Sequence, residues 1–385
     1  MTDTAITGRE RVRRAFAREP SDRFPIDLGA HFSTGISAFA YARLREHLGL
    51  DARPIRIVDP SQFLAWVDDD VLERFRCDVR ILRAPWRATH AWAPRAGSSF
   101  QVPVTMQPEA QADGSWIVRQ EGRRTRMPAG GFFFDGDWLG YEDRPWAEQA
   151  AALRDEADRL RASGAAVFLM QGVWAFFSDH PDWLMRAAED PEAMAAENAK
   201  RCDEAIAHVG RLIDLLGDRV DIIDMNGDLG AQKAPLIGPR LYERVCKPFV
   251  ARVVDFIHRN SGWKVFMHSC GSICPLLPHL ADTGIDAINP VQVSAQGMDP
   301  SVLKERFGDR LLFWGGGCDT QRILGTASPD EVRANVRHLT GILGRDGGFV
   351  FTAVHNVMGD VPPQNIVAMY DEAYACGLER SSALV

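Results

Sequence analysis

The stretch HSCGSICPLLPHLADTG opens at His268 and brings His268, Cys270 and Cys274 into one short segment. On an extended strand, residues i and i+2 face the same side, so His268 and Cys270 can address one ion. Cys274 falls on the helical pattern after Gly271, beside Leu276, Leu277 and Leu280, and reads as a small core residue. A further thiol, Cys318, ends a similar apolar run after Gly315, Gly316 and Gly317. One histidine and two thiolates with a fourth position open is the pattern of a catalytic zinc site. Such a set suits Zn²⁺ better than a hard ion such as Mg²⁺. The three glycines let the backbone bend close to a ligand.

Other residues at the ends of apolar runs widen the set: His31, Gln171, Asn226, Asp228, Gln292 and His355. Asp228 is a candidate fourth, displaceable ligand or a catalytic substrate acceptor, set against an N-cap or turn carboxylate. His355 is a candidate proton shuttle, set against a hydrogen-bonded barrel histidine. His31, Gln171, Asn226 and Gln292 are candidate substrate contacts, although such side chains also satisfy buried backbone. Trp138, Trp146, Trp174 and Trp183 read as pocket walls or as core. Cys77, Cys202, Cys246 and Cys376 lie on or beside helical patterns and read as structural.

These residues need elements that make them converge. Eight short apolar runs recur along the chain, at 23–31, 78–85, 165–172, 220–228, 264–271, 286–294, 311–319 and 349–357. Each is nearly all apolar at its start and ends in polar or glycine residues, as a strand buried on both faces does. Helical patterns lie between them. Ser328-Pro329-Asp330-Glu331 is a capping box with proline in the first turn. Asp190-Pro191 and Asp299-Pro300 open helices in the same way. Gly217 and Gly308 sit where helix ends favour a left-handed residue. Strands alternating with helices predict an α/β fold, a (β/α)8 barrel forming one domain over residues 1–385. Residues 98–146 break the rhythm. VPVTMQ and SWIVRQ flank Asp113-Gly114, which predicts an antiparallel β-hairpin inserted after the second strand. In such barrels chemistry gathers at the C-terminal strand ends.

Bulk composition narrows the classes. Of 385 residues, 46% are hydrophobic and 25% charged, with a net charge of -8. The acidic balance argues against a nucleic-acid partner. No apolar run is long enough to span a bilayer, so a membrane is not expected. MTDTAITGRERVRRAFARE lacks an apolar core of a signal peptide, and the expected location is cytoplasmic. Seven cysteines at scattered spacings read as thiols, some metal-bound, rather than a disulfide framework. No GxGxxG, P-loop or Ser-His-Asp pattern is seen.

From DLGAQKAPLIGPRLYERVCKPF through HSCGSI, NPVQ, FWGGGCDTQ and VPPQNI, the chain resembles the uroporphyrinogen decarboxylase superfamily. Within it the chain is similar to the corrinoid-linked methyltransferase branch, whose His-x-Cys…Cys zinc motif falls on His268, Cys270 and Cys318. The resemblance implies a TIM barrel and a zinc-held thiol or similar acceptor. It also implies a methylcobamide carried by a partner corrinoid protein, with Gly315, Gly316 and Gly317 leaving room for that cofactor, and is compatible with a homodimer. The decarboxylase branch holds porphyrinogen carboxylates with arginines in an F-x-R-Q-A-G-R-Y stretch. Here FPIDLGAHFSTG stands in its place, without those arginines. DMNGD also replaces the Glu-Pro pair of some methyltransferases. The expected activity is zinc-dependent methyl transfer. A metal-free decarboxylase, a zinc hydrolase using Asp228 or His355 as base and a non-catalytic binding protein are the competing readings.

Overall fold

The computed structural model describes residues 6–139 and 142–382. Gly140 and Tyr141 of the 98–146 segment, and the first five residues of the N-terminal stretch, lie outside the described residues.

Seven of the eight runs form one parallel sheet in chain order: Val79–Leu82, Ala166–Trp174, Ile222–Asn226, Lys264–His268, Ala287–Asn289, Leu312–Trp314 and Phe349–Val350. The remaining run, 23–31, makes a single parallel bridge, Ile26 to Phe351. It is nevertheless bonded on both sides. Phe351 N–H donates to the Pro25 carbonyl and Asp78 N–H donates to the Ile26 carbonyl, each at 2.8 Å. This short eighth stave closes the ring between the last strand and the second run.

Apolar side chains fill the interior because each strand is covered on both faces. Phe168, Phe266 and Trp314 pack edge to face, with ring centroids 4.9 to 5.7 Å apart. The helix Gly8–Ala17 plugs the N-terminal end, where Val12, Ala15 and Phe16 join this inner cluster. Helices cover the outside. The longest, Pro191–Leu216, starts at Asp190, whose side chain accepts the Ala193 N–H. Asp299 accepts the Ser301 and Val302 N–H groups, and Ser328 with Glu331 forms the complete capping box. Gly217 has the expected positive φ of 50°. Gly308 does not, with φ -65°. A Cβ at Gly308 would lie 2.5 Å from the Lys304 carbonyl, so close packing against the preceding turn explains the glycine.

The segment after the second barrel strand differs in detail from a single hairpin. Antiparallel pairing begins before residue 98, with Thr89–Trp92 against Phe100–Pro103. Phe100–Pro103 also pairs in parallel with Ile55–Asp59, which pairs with Leu64–Ala65. VPVTMQ therefore starts in this four-stranded sheet rather than opposite SWIVRQ. A second sheet holds Glu109–Ala110, Trp116–Gln120, Arg123–Met127 and Asp135–Gly136. Asp113-Gly114 turns between the first two strands. The longer hairpin turns at Glu121-Gly122, with φ of 51° and 79°. Positive φ at both central residues is what a two-residue turn needs to match strand twist. No helix among the described residues is long and apolar enough to cross a membrane.

Candidate metal centre at the strand ends

His268 ends its strand and Cys270 follows two residues later, with His268 Nε2 3.5 Å from Cys270 Sγ. The turn that carries Cys270 is packed against the loop after Ile222–Asn226. Gly227 N–H donates to the His268 carbonyl, and Ser272 N–H donates to the Ala231 carbonyl. A Cβ at Gly271 would lie 2.3 Å from Gly230, so only glycine lets the loops approach this closely. That approach carries Asp228 to the site. Its Oδ1 accepts the Cys270 N–H at 2.9 Å and lies 3.3 Å from His268 Nε2. His355 comes from the loop after the last strand. Among the described residues, the ligand atoms of His268, Cys270 and His355 all lie within 4.8 Å of one another.

Burial and neighbouring charge divide the titratable groups. Burial alone would lower the His268 pKa, but the Cys270 sulfur and Asp228 outweigh it and raise it well above the usual value. Burial, with repulsion from His268, pushes His355 down to about 4 and holds His31 far below the usual range. Burial opposes ionisation of Asp228, yet the His268 hydrogen bond and charge keep it below the ordinary carboxylate range. Burial pushes Asp224, deep in the cleft, up to about 6.

His268, Asp228, His355, Asn226 and His31 line a cleft of about 830 Å³. A bulge shapes its opposite wall. The pairing of Ala166–Trp174 with Ile222–Asn226 shifts between Leu169 and Val173, which re-aims Met170, Gln171 and Gly172 at the cleft. Gln171 accepts from the Gln149 amide at 2.9 Å. Trp138 and Trp174 stand exposed on the rim, whereas Trp183 is core. Trp146 is borderline exposed and stacks with Arg211.

Other candidates go elsewhere. Gln292 accepts the Gly271 N–H at 2.8 Å and supports the turn carrying Cys270 from behind, off the cleft wall. Gly315, Gly316 and Gly317 are buried and do not line the cleft. A Cβ on them would meet the Pro290 carbonyl, the Leu343 side chain and the Phe351 ring at 2.4, 2.8 and 2.4 Å, so packing accounts for all three. Cys318 is fully buried in the main core cluster and is not part of the His268 group. Burial pushes its thiol up to about 12. Cys274 is half-buried against the same core. The other four thiols are buried and free.

Three kinds of residue escaped the sequence reading. Arg83 directly follows the second barrel strand and lies over the Phe32 and Trp86 rings. With Arg123 and Arg144 it lines the cleft, where Arg144 is paired with Glu142 at 3.0 Å. The strand-end rule applied to DVRILRAP would have found Arg83. Asp224 was hidden inside the mostly apolar run IIDMN, two residues before the candidate Asn226. Asn289 gave no signal beyond its place in NPVQ.

The donor set can be tested against zinc. With Zn–S of about 2.3 Å and Zn–N of about 2.0–2.1 Å, tetrahedral sulfur and nitrogen ligands sit about 3.6 Å apart. The observed 3.5 Å between His268 Nε2 and Cys270 Sγ matches this edge. His268 Nδ1 also faces an acceptor, Asn289 Oδ1, at 2.7 Å. A ligating histidine characteristically has such a partner on its other nitrogen. The residues fit the ion.

Fold and site together define an α/β-barrel protein with a candidate metal centre at the C-terminal strand ends. The uroporphyrinogen decarboxylase (URO-D) family model matches residues 166–375, and the chain belongs to that family. It is 26% identical over 376 residues to the uroporphyrinogen decarboxylase of Methylococcus capsulatus, covering 94% of this chain and 96% of that protein. With the enzyme of the same name from Psychromonas ingrahamii, identity is 28% over 177 residues, 43% of this chain. The chain thus spans about half the length of that relative, 47% of it. A methyltransferase structure from Methanosarcina mazei aligns over 96% of this chain and 99% of its own, with a TM-score of 0.46 and 12% identity.

Proposed function

We propose that this chain is a zinc-dependent methyltransferase that moves a methyl group between a corrinoid protein and a small thiol-like acceptor. The observation that carries the reading is the group His268, Cys270 and His355, of which His268 and His355 line the cleft, with the tetrahedral spacing of its first two members. When bound there, zinc would hold the acceptor as its anion at neutral pH, where a free thiol of pKa about 8.5 is only about 3% ionised.

The protein's own residues supply the remainder. His268 and Cys270 are held by the strand end and by the Asp228 hydrogen bond to the Cys270 N–H. His355 completes the three donors. The Asp228 side chain, about half exposed, lies where an incoming acceptor would displace it. A cleft of about 830 Å³ suits a small molecule, with the methyl donor presented at the mouth by its carrier. In-line placement is then the main requirement for transfer.

Methyl transfer from methylcobalamin to a panel of thiols, with zinc content measured in parallel, tests the reading. Thiol-dependent consumption of methylcobalamin is expected, and its absence from zinc-loaded protein contradicts the reading. His355→Ala and Cys318→Ala separate the two candidates for the third ligand. The geometry favours loss of zinc in the first. Loss only in the second would require the Cys318 turn to swing out of the core.

A second reading, decarboxylation of a polycarboxylate, draws on the relatives' names and on Arg83, Arg123 and Arg144 on the cleft wall. These are positioned differently in the chain from the missing N-terminal arginines. Release of CO₂ from uroporphyrinogen by metal-free protein would establish it.

A further inference from the structure

Zinc ligation uses one histidine nitrogen, and something must decide which one. We propose that Asn289, Ser33, His31, Asn226 and Asp224 form a positioning chain that presents His268 to the metal through Nε2. This inference rests on the zinc reading above and concerns residues that do not themselves touch the ion.

Asn289 is fully buried. Its Nδ2 donates to the Trp314 carbonyl at 2.9 Å, an acceptor that fixes which way the amide faces. Asn289 Oδ1 therefore faces His268, and at 2.7 Å it requires the proton on His268 Nδ1. Nε2, which faces Cys270 at 3.5 Å and Asp228 at 3.3 Å, is then the nitrogen that can exchange its proton for an ion. Ser33 donates to the same Oδ1 at 2.6 Å, saturating that oxygen from a second side.

The chain continues across the barrel. The Ser33 N–H donates to His31 Nδ1 at 3.1 Å, and the single Ser33 hydroxyl proton is shared between Asn289 Oδ1 and His31 Nδ1, 2.7 Å from its oxygen. His31 Nε2 meets Asn226 Oδ1 at 2.9 Å. Asn226 Nδ2 donates to Asp224 Oδ2 at 2.6 Å, and the bulged Gly172 N–H donates to Asp224 Oδ1 at 2.7 Å. The bulge is fitted to this carboxylate: a Cβ at Gly172 would lie 1.6 Å from the Asp224 carbonyl. Asp224 orients Asn226, Asn226 orients His31, and the His31–Ser33 turn holds the Asn289 oxygen in place. Four barrel staves and the loop after the first thereby support one imidazole. Partners of this kind are typically worth tenfold to a hundredfold in metal affinity.

Zinc affinity by chelator competition, with the visible spectrum of the cobalt-substituted protein as second readout, tests the chain. Asn289→Leu should bind zinc about 10–100-fold more weakly and alter the cobalt spectrum. Asn289→Asp, which keeps an acceptor facing Nδ1, should restore affinity to within about tenfold of wild type. Ser33→Ala should fall between wild type and Asn289→Leu. Should Asn289→Leu fail to fold, ¹⁵N NMR of the zinc-loaded wild type reads the ligating nitrogen directly, with a proton on Nδ1 expected. Wild-type affinity in Asn289→Leu, or ligation through Nδ1, overturns this inference and leaves the zinc reading standing. A wild-type protein that binds no zinc overturns both.

Discussion

The two ends of the barrel use the same eight staves for opposite purposes. At the N-terminal end, charge is paired. Asp78 accepts from Arg11 at 2.5 Å, from Arg23 at 2.6 Å and from the Ile26 N–H at 2.8 Å, and both guanidinium groups are buried with it. The helix Gly8–Ala17 seals that end with apolar side chains. At the C-terminal end, three histidines crowd one another around a half-exposed carboxylate, Asp228, which lies 3.3 Å from His268 Nε2. His31 and His268 lie with ring centroids 5.3 Å apart, and His268 and His355 5.9 Å apart. One end is arranged for stability, and the other tolerates crowding that an ion and a substrate would relieve. Clusters of perturbed titratable groups in a cleft mark functional sites for this reason.

The largest effects should separate the two ends cleanly. Asp78→Ala leaves two buried arginines without their shared partner and should cost about 3–5 kcal/mol of stability in urea unfolding. The folded fraction should keep its zinc. Cys270→Ser should do the reverse, weakening zinc binding by more than the roughly hundredfold ceiling of a supporting residue, with little change in unfolding of the apo protein. Equal loss of both properties in either variant would erase the distinction between the ends.

A pH experiment sharpens it. The folded-state pKa of Asp224 is raised to about 6 from 3.8, so the fold favours its protonated form. The contribution of Asp224 to stability therefore falls as pH rises from about 4 to about 6, where the unfolded chain ionises first, and no further above that. Relative to wild type, Asp224→Asn should gain up to about 3 kcal/mol across this window, whatever its constant offset from altered hydrogen bonding. Urea unfolding of both proteins at pH 4 and pH 7 checks this. A difference that does not change with pH would place Asp224 among ordinary carboxylates.

The smallest effect concerns the glycines. Gly317→Ala brings a methyl against the Phe351 ring and should destabilise by about 1–3 kcal/mol in thermal unfolding. Zinc affinity and the apparent KM for methylcobalamin should stay the same, since packing rather than cofactor contact explains the residue.

The barrel was legible because strands buried on both faces read as nearly unbroken apolar runs, and all eight runs lie in the ring. The first run was legible as a strand although it carries only one bridge, because its hydrophobicity reflects burial rather than ladder length. The inserted segment was less legible. Asp113-Gly114 does make a turn, but Glu121-Gly122 joins the longer pair, and no local signal says which sheet Phe100–Pro103 enters. At the site, the i and i+2 rule brought His268 and Cys270 together. It could not extend to Cys318, because Leu312–Trp314 ends before the positive-φ glycines Gly315 and Gly316 redirect the chain. The same rule pairs Asp224 with Asn226, two residues on, but it could not reveal Asn289, whose partners Ser33, His268 and Trp314 lie far away in sequence.

The central claim is that His268 and Cys270 hold an ion. Zinc per chain, measured by mass spectrometry after zinc reconstitution and gel filtration, tests it most directly when wild type and Cys270→Ser are compared. The account predicts one zinc per wild-type chain and its loss from the variant. A zinc-free wild type, or equal zinc in both, would contradict it.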